Sequence, residues 1–263
     1  MIIGNRVFED SGKTYIMGIL NVTPDSFSDG GKYTDRDSIL RQAQRMVEEG
    51  ADIIDIGGES TRPGATPVDA DEEIRRIIPI IKELSSVSDV RISVDTMKTE
   101  VAAKALDAGA DIINDVYGLR ADGMMELIAS AGVPAVIMHM SGMPSTMQDN
   151  PLGVESDQSI VDFLRERKEC ALDHGIREII MDPGIGFGKT PELNMHIIDN
   201  SSEYSLGCPV LIGASRKRFL SLYYPDMEAD DATVRVTMRA IGSGADIVRV
   251  HNVPAMVDAI SKK

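Results

Sequence analysis

Eight short apolar runs, separated by longer stretches with helical periodicity, constrain the fold of this chain more than any other feature. The runs are continuous rather than alternating, which is typical of strands buried on both faces of a parallel sheet. The stretches between them place apolar residues on one helical face, as at Ile39, Ala43, Met46 and Val47. Several end at a glycine suited to a helix C-cap: Gly50, Gly109, Gly132, Gly175 and Gly244. The apolar runs are residues 14–22, 51–58, 90–96, 110–116, 134–140, 178–184, 209–215 and 245–252.

Eight strands alternating with about eight helices in 263 residues predict an α/β fold, a single (β/α)8 TIM barrel that occupies residues 1–263 as one domain. A Gly-Ala-Asp-Ile opening recurs before three of the strands, as expected for repeated helix–strand units. The alternative is an open doubly wound sheet, but no GxGxxG motif follows the first strand. We expect the first dozen residues to form a short hairpin that closes the bottom of the barrel.

The charge balance excludes some classes of partner. With 27 basic and 42 acidic side chains the formal net charge is −15, which disfavours binding to nucleic acid or to an anionic membrane. No apolar run approaches the roughly 18 residues of a membrane span, and the opening residues lack signal-peptide features. Cys170 and Cys208 form neither a disulfide framework nor a CxxC metal site. We therefore expect a cytoplasmic protein.

Polar residues lie at the ends of most of the predicted strands. In a barrel of this kind the active site is built where the strands end and the βα loops begin, so these side chains converge on one mouth. A single such residue could simply cap the next helix, but a complete ring is better explained by a site. The strand-end residues are Asn21, Gly57, Gly58, Glu59, Asp95, Asn114, Met138, His139, Asp182, Ser215, Arg249 and His251.

Two acids and an amide form the first candidate group. Asp95, Asn114 and Asp182 can accept hydrogen bonds from a flat, donor-rich heterocycle. Each also has a structural alternative. Asp95 could form an Asx-turn or an N-cap, Asn114 could satisfy backbone groups in the core, and Asp182 could belong to a turn with Pro183 and Gly184.

Basic residues form the second candidate group. Residues 215–218, Ser-Arg-Lys-Arg, follow the seventh strand, and Arg249 and His251 lie on one face of the eighth. The loops after these strands are the usual phosphate site of the fold. The alternatives are a solvated charge run for Arg216–Arg218, a structural ion pair for Arg249 and a surface histidine for His251.

Two loops have the composition of lids. Loop one, residues 21–31, carries Phe27. Loop two, residues 57–73, carries Thr61 and Arg62 at its tip, and both loops are rich in turn-forming residues. A third loop, residues 180–190, contains GIGFGKT, which lacks the spacing of a phosphate-binding P-loop. We expect Phe187 and Lys189 of that loop to form a wall beside a flat aromatic ligand.

Seven motifs in order carry a family resemblance. MGILNVTPDSFSDGG, DIGGESTRPGA, SVDT, INDV, MDPGIGFGKT, GASRKR and RVH closely resemble the dihydropteroate synthases of the pterin-binding barrel family, over roughly residues 14–258. The resemblance implies condensation of 6-hydroxymethyl-7,8-dihydropterin pyrophosphate with 4-aminobenzoate, giving dihydropteroate and pyrophosphate. It also implies a homodimer, a Mg²⁺ cofactor and competition between sulfonamides and 4-aminobenzoate.

The resemblance assigns roles to individual residues. Asn21 is implied to hold the Mg²⁺ with the pyrophosphate. Loop one, with Phe27 and Asp29, is implied to close over the site. The residues implied to bind the pterin are Asp95, Asn114, Met138, Asp182 and Lys217. Those implied to contact aminobenzoate or pyrophosphate are Phe27, Thr61, Arg62, Phe187, Ser215, Arg249 and His251. The set implied to be catalytic is Asp29, Arg62, Lys217, Arg249 and His251.

Three departures from the family pattern concern the helices. Leu193-Asn194 replaces a His-Asn pair, Asn252 replaces the aspartate of RVHD, and residues 232–244 are bulkier than in relatives. Two other functions remain open. One is a barrel methyltransferase that passes a methyl group from methyl-tetrahydrofolate to a corrinoid protein. The other is a non-catalytic pterin-binding paralogue.

Overall fold

The fold is a barrel of eight parallel strands surrounded by helices. The computed structural model describes residues 1–3, 6–8, 12–23, 32–60 and 65–262. Two short strands at the start form a hairpin, β1 (Ile2–Ile3) and β2 (Arg6–Val7). The barrel strands are β3 (Tyr15–Asn21), β4 (Ile53–Gly57), β5 (Arg91–Asp95), β6 (Ile112–Asp115), β7 (Ala135–Met138), β8 (Ile179–Asp182), β9 (Leu211–Ile212) and β10 (Ile247–Val250).

Helices follow these strands around the outside. They are α1 (Lys32–Glu48), α2 (Ala70–Val87), α3 (Thr99–Asp107), α4 (Met124–Ala131), α5 (Asp157–Asp173), α6 (Pro191–Asp199), α7 (Leu220–Tyr223), α8 (Ala229–Gly242) and α9 (Val253–Ser261). Within the described part of the chain, none of them combines the length and the apolar character needed to cross a bilayer.

The order of the strands confirms the predicted barrel and excludes the open doubly wound sheet. The sheet runs β8-β7-β6-β5-β4-β3-β10-β9, and every described pairing within it is parallel. Its two ends meet through a parallel bridge between Met181 and Val210, where the Met181 amide donates to the Pro209 carbonyl at 2.8 Å. Closure leaves no edge strand, and it brings the carboxyl ends of all eight strands to one rim.

The bottom of the barrel is closed by the amino-terminal hairpin, as expected. Ile3 and Phe8 are buried with the lower inward-facing residues of the strands. The Phe8 ring lies 4.5 Å from that of Tyr15, centroid to centroid. The other members of this apolar layer are Met17, Ile53, Ile112, Val136, Ile180, Leu211 and Ile247. This apolar floor lies at the end of the barrel opposite the carboxyl ends of the strands.

The helix ends follow the sequence signals. All five glycines predicted as C-caps have φ between 66° and 107°, a left-handed conformation that glycine adopts without strain. Helix α6 begins with Thr190, whose hydroxyl accepts from the Leu193 amide at 3.3 Å, followed by Pro191 in the first turn. The predicted strand over residues 209–215 was too long, because regular pairing is limited to Leu211–Ile212.

A buried lysine connects two of the loops above the barrel. Lys189, expected to form a wall beside a ligand, is instead 3% exposed. Its ammonium donates to the carbonyls of Gly184 at 2.9 Å and Phe187 at 3.1 Å, and contacts His139 Nδ1 at 3.0 Å. Burial lowers the pKa of Lys189 to about 7, while the Asp182 carboxylate opposes that shift. Burial together with the nearby Lys189 charge lowers the pKa of His139 to about 2, so its ring is neutral and can accept.

Replacing Lys189 by Met is expected to destabilise the protein by about 2–4 kcal/mol, because buried carbonyls lose their donor. Urea unfolding measures the change. The matched control is Lys82→Met, at an exposed position of α2, which is expected to stay within about 0.5 kcal/mol of the parent protein. Equal stability of the two variants would contradict the bracing role of Lys189.

Candidate active site

The upper barrel collects polar side chains from five of the eight strands. Asp55, Asp95, Asn114, Asp182 and Arg249 lie at or near the carboxyl ends of β4, β5, β6, β8 and β10. The register fixes their heights, because Asp95 pairs with Asn114 and Asp182 is level with the last residue of β7. Parallel strands of a closed barrel therefore deliver acids, an amide and a guanidinium to one enclosed volume.

Arg249 bridges two buried carboxylates. Its Nε donates to Asp55 Oδ2 at 2.6 Å and its Nη2 donates to Asp95 Oδ2 at 2.8 Å. The Asn114 amide also donates to Asp55 Oδ2, at 3.1 Å. The ion pair considered for Arg249 is therefore present, and it lies inside the mouth. Asn114 contacts a side chain rather than serving the backbone.

Asp55 was missed by the sequence reasoning, which considered only the last one or two residues of each strand. Asp55 lies two residues before the end of β4, in the apolar segment DIIDIGG. Alternation along a strand places it on the same face as Ile53 and Gly57. An acid inside an otherwise apolar strand was the available signal, since such a group requires a partner when buried.

Burial tunes the two strand-end acids. Desolvation raises the pKa of Asp95 to about 7; Arg249 opposes that shift and the neighbouring Asp55 reinforces it. Desolvation also raises the pKa of Asp182 to about 6, against the hydrogen bond from the Gly184 amide and the charge of Lys189. Both carboxyls therefore change protonation close to neutral pH, where an acceptor for a donor-rich ring can be gained or lost.

Asp182 does take part in a turn, as one alternative suggested. Its Oδ1 accepts from the Gly184 amide at 2.7 Å. Gly184 has φ +73°, and a Cβ there would lie 1.9 Å from the His139 carbonyl oxygen, so only glycine fits. This turn uses one carboxylate oxygen and fixes the orientation of the group at the mouth.

An apolar surface lies beside the acids. Phe187 is buried with Met138, and the Lys217 ammonium lies 4.2 Å from the centroid of the Phe187 ring. That distance is within the range of a cation–π contact. The remaining buried residues of this cluster are Val116, Met140 and Met147. The combination suits a flat ring that needs an apolar face and polar edges.

The basic run after β9 divides into two parts. Lys217 reaches Phe187, whereas Arg216 and Arg218 are exposed, as the alternative of a solvated charge run describes for these two residues. Arg216 pairs with Asp230, with Nε to Oδ1 at 2.6 Å and Nη2 to Oδ2 at 2.9 Å. The backbone of Arg216 is left-handed, with φ +55°.

Ser215 and His251 meet at the rim. The Ser215 hydroxyl lies 2.9 Å from His251 Nδ1, and it accepts from the His251 amide at 3.2 Å. His251 also lines a cavity of about 340 Å³ with Arg45 of α1 and Arg216. Glu49 lines the same cavity and Arg216 is paired with Asp230, so carboxylates offset part of the positive charge around this space.

The departures from the family pattern are accommodated on the helical side. Asn252 caps α9 by accepting from the Ala255 amide at 3.2 Å, and it donates to Asp230 Oδ2 at 2.9 Å. An aspartate could cap the helix equally well but would place a second carboxylate against Asp230. Leu193 is fully buried, while Asn194 accepts from the Gly186 amide at 2.7 Å. The site loops therefore keep their supports.

A half-buried cluster of one lysine and two glutamates at the base of loop two was also missed. Lys98 forms ion pairs with Glu59 and, at 2.6 Å, with Glu73. Glu59 in turn accepts from the Val68 amide at 3.0 Å, which fixes the returning segment of the loop. Desolvation raises the pKa of Glu73, and Lys98 opposes the shift. Glu59 is a strand-end residue, but its partners are distant in sequence and no local motif reveals them.

Several predicted site residues cannot be placed with the others. Phe27, Asp29, Thr61 and Arg62 lie outside the described residues. Asn21 is half-buried at the end of β3, on the rim. The described part of the chain contains no group of three His, Cys, Asp or Glu side chains arranged to hold a metal ion.

Comparison with known proteins identifies close relatives. A probable bifunctional folylpolyglutamate synthase/dihydropteroate synthase of Haloferax volcanii is 47% identical over 94% of this chain, which spans only 30% of that longer protein. A dihydropteroate synthase of Clostridium beijerinckii is 45% identical, with 96% of this chain and 94% of the relative aligned. The second match covers both proteins almost from end to end.

The structural comparison gives the same family. A Xanthomonas albilineans dihydropteroate synthase, solved with 4-aminobenzoic acid, superposes with a TM-score of 0.88 at 42% identity, over 95% of this chain and 92% of that one. The sequence profile of the family described as pterin binding enzyme matches residues 17–251. This chain therefore belongs to the family of pterin-binding enzymes.

Proposed function

We propose that the chain is a dihydropteroate synthase, which joins the dihydropterinylmethyl group of 6-hydroxymethyl-7,8-dihydropterin pyrophosphate to 4-aminobenzoate and releases pyrophosphate. The observation that carries the proposal is the buried group of Asp95, Asn114 and Asp182 at the mouth of a closed barrel, with the half-buried Arg249 donating to Asp95 at 2.8 Å. Near full-length similarity to dihydropteroate synthases supports it over a methyltransferase or a non-catalytic paralogue.

The acids and the amide would recognise the pterin. Asp95, Asn114 and Asp182 supply acceptors for the amidine-like edge of the ring, and all three are buried, which favours a specific geometry over solvent competition. Met138 and Phe187 would contact the ring through their apolar surfaces. Lys217, beside Phe187, would donate to an acceptor of the same ring. These contacts would align the methylene carbon with the opening of the mouth.

The rim residues would bind the anionic part of the substrate. Arg249 and His251 supply positive charge and donors there, and Thr61 and Arg62 of loop two would add to them. A Mg²⁺ ion fits this donor set, because Mg²⁺ usually takes only one or two protein oxygens and completes its shell with phosphate and water. Asn21 would provide the protein oxygen. When bound, the ion would neutralise negative charge on the pyrophosphate.

Bond exchange at the methylene carbon needs little chemistry from the protein. The carbon–oxygen bond to pyrophosphate breaks, the aniline nitrogen of 4-aminobenzoate forms the new carbon–nitrogen bond, and a proton leaves that nitrogen for solvent. Arg249 and His251 would stabilise the leaving pyrophosphate, and Asp29 would stabilise positive charge on the pterinylmethyl group. Phe187 and Ser215 would position 4-aminobenzoate. Alignment therefore supplies much of the rate, and no covalent nucleophile is involved.

The assembly and cellular setting also belong to this proposal. We propose one barrel domain per chain, paired as a homodimer in the cytoplasm. The family resemblance supports the dimer. The described cysteines, Cys170 and Cys208, are both free thiols, as is common in a reducing compartment. Sedimentation equilibrium of the purified protein distinguishes a dimer from a monomer of 28.5 kDa.

Pyrophosphate release is the primary test. With dihydropterin pyrophosphate and Mg²⁺, release is expected to depend on added 4-aminobenzoate and to match the dihydropteroate formed mole for mole. A sulfonamide is expected to raise the KM for 4-aminobenzoate without changing the maximal rate, because the two compete for one pocket. Release without the amine, or turnover unaffected by excess sulfonamide, would argue against the proposal.

Pterin affinity is expected to depend on pH through Asp95. Its raised pKa, about 7, means that the acceptor carboxylate predominates above pH 7 and is lost below it. Calorimetric titration with 6-hydroxymethylpterin is expected to show about tenfold weaker binding at pH 6 than at pH 8. Asp95→Asn should weaken binding at pH 8 at least tenfold and remove this dependence above pH 7.

The matched control for that experiment is Asp89→Asn, an exposed acid just before β5. It is expected to bind the pterin with the affinity and the pH profile of the parent protein. An unchanged pH profile in Asp95→Asn would show that another group governs binding.

A further inference from the structure

We propose that Asp55 is a positioning residue that anchors Arg249. When a pterin ring binds to the Asp95 carboxylate, Asp55 would accept hydrogen bonds from both Nε and Nη2 of Arg249. The inference rests on the proposed function, because it concerns the exchange of Arg249 for a substrate edge at Asp95. Asp55 itself would not contact the substrate. Its effect would pass through the guanidinium, because the amide oxygen in Asp55→Asn can still accept from Asn114 Nδ2 as Oδ2 does now.

The first observation is that the donor edge of Arg249 is divided. Nε and Nη2 are the parallel pair that ordinarily binds both oxygens of one carboxylate. Here Nε contacts Asp55 Oδ2 at 2.6 Å, whereas Nη2 contacts Asp95 Oδ2 at 2.8 Å. One guanidinium therefore serves two acids, and each acid receives half of the usual interaction.

The second observation is an idle oxygen on Asp55. The residue is 0% exposed, and its Oδ1 has no hydrogen-bond partner among the residues that the structure describes. Buried carboxylate oxygens are normally satisfied. The other oxygen, Oδ2, is fully engaged by Arg249 and by the Asn114 amide at 3.1 Å. Asp55 thus keeps a spare acceptor beside a guanidinium that it already holds.

Substrate binding would bring these two observations together. A donor-rich ring edge that binds Asp95 Oδ2 competes with Arg249 Nη2 for the same oxygen. The displaced Nη2 is a donor and needs an acceptor, which Asn114 Nδ2, itself a donor, cannot provide. Asp55 Oδ1 can, because a small rotation about the existing Nε contact would bring Nη2 to it. The divided contact would then become a two-bond pair on Asp55.

This exchange would explain why a second acid, Asp55, is buried beside Asp95, the proposed acceptor for the pterin. Without Asp55, the substrate would have to displace Arg249 from its partner and leave a buried cation unpaired. With Asp55, Arg249 stays in the mouth and remains paired while Asp95 exchanges its hydrogen bond from Arg249 for one from the ring. Arg249 then remains close to the anionic end of the substrate.

A double-mutant cycle tests the coupling. Calorimetry at pH 8 with 6-hydroxymethylpterin compares the parent protein, Asp55→Asn, Arg249→Gln and the double variant. Asn offers one acceptor and one donor, so it can hold Nε but cannot accept Nη2. Asp55→Asn is expected to weaken pterin binding about tenfold in the parent and less than twofold in the Arg249→Gln background.

Asp115 provides the matched control. It is a buried acid at the end of β6, and it accepts from the backbone amides of Tyr117 at 2.7 Å and Leu119 at 2.9 Å, away from Arg249. Asp115→Asn is expected to lower stability while keeping pterin affinity within twofold. Equal losses for Asp55→Asn in both backgrounds, or no loss in the parent, would overturn the proposal. A parent protein that fails to bind the pterin would instead overturn the proposed function, and this inference with it.

A measurement on the unmodified protein covers the case in which Asp55→Asn does not fold. In ¹⁵N-labelled protein, the Nε–H resonance of Arg249, assigned by its loss in Arg249→Gln, is expected to exchange slowly with water both with and without 6-hydroxymethylpterin. The Nη2 resonances should shift on binding. Rapid exchange of Nε–H in the complex would mean that Arg249 has left Asp55, and would refute the anchor.

Discussion

The contact of one guanidinium with two buried carboxylates is the constraint on which the site depends. Asp55 and Asp95 lie inside a barrel where ionised acids are costly, and Arg249 provides the charge that offsets them. Desolvation nevertheless raises the pKa of Asp95 to about 7. Arg249 stabilises the two ionised acids, while desolvation favours the protonated form of Asp95. Asp95 can therefore exchange Arg249 for another donor, as a donor-rich ligand requires.

The barrel keeps the residues that stabilise the fold apart from the polar residues at the mouth. Apolar residues of the strands and of the hairpin pack together in the lower interior, below the acids. The loops above are held by two lysines, the buried Lys189 and the half-buried Lys98, which are not part of the proposed recognition surface. Lys189 joins the loops after β7 and β8, and Lys98 joins the start of loop two to α2. Lys217 and Arg249 have a different position, with Lys217 against the Phe187 ring and Arg249 paired with Asp55 and Asp95 at the mouth.

The sequence predicted the architecture better than the contacts, for a physical reason. Continuous apolar runs and glycine caps are local signals, so the barrel, its closing hairpin and the strand-end position of Asp95, Asn114 and Asp182 could be predicted. The partners of a buried charge are not local. Asp55 and Arg249 are in contact although they lie 194 positions apart in the sequence. Lys189 was expected beside a ligand because its loop motif does not reveal that the side chain is buried. The partner of Arg216 is equally distant from local signals, because Asp230 lies 14 positions further along the chain.

The arrangement of charge along the barrel axis gives the proposed substrate one orientation. The acids belong to the strands themselves, with Asp95 and Asp182 as the final residues of β5 and β8. Lys217 and His251 lie beyond the strand ends, closer to the rim. A ligand with a donor-rich ring and a polyanionic tail would be repelled tail-first by the acids and attracted ring-first. Arg249 lies between the two zones, so the exchange at Asp55 would link recognition of the ring to binding of the anion.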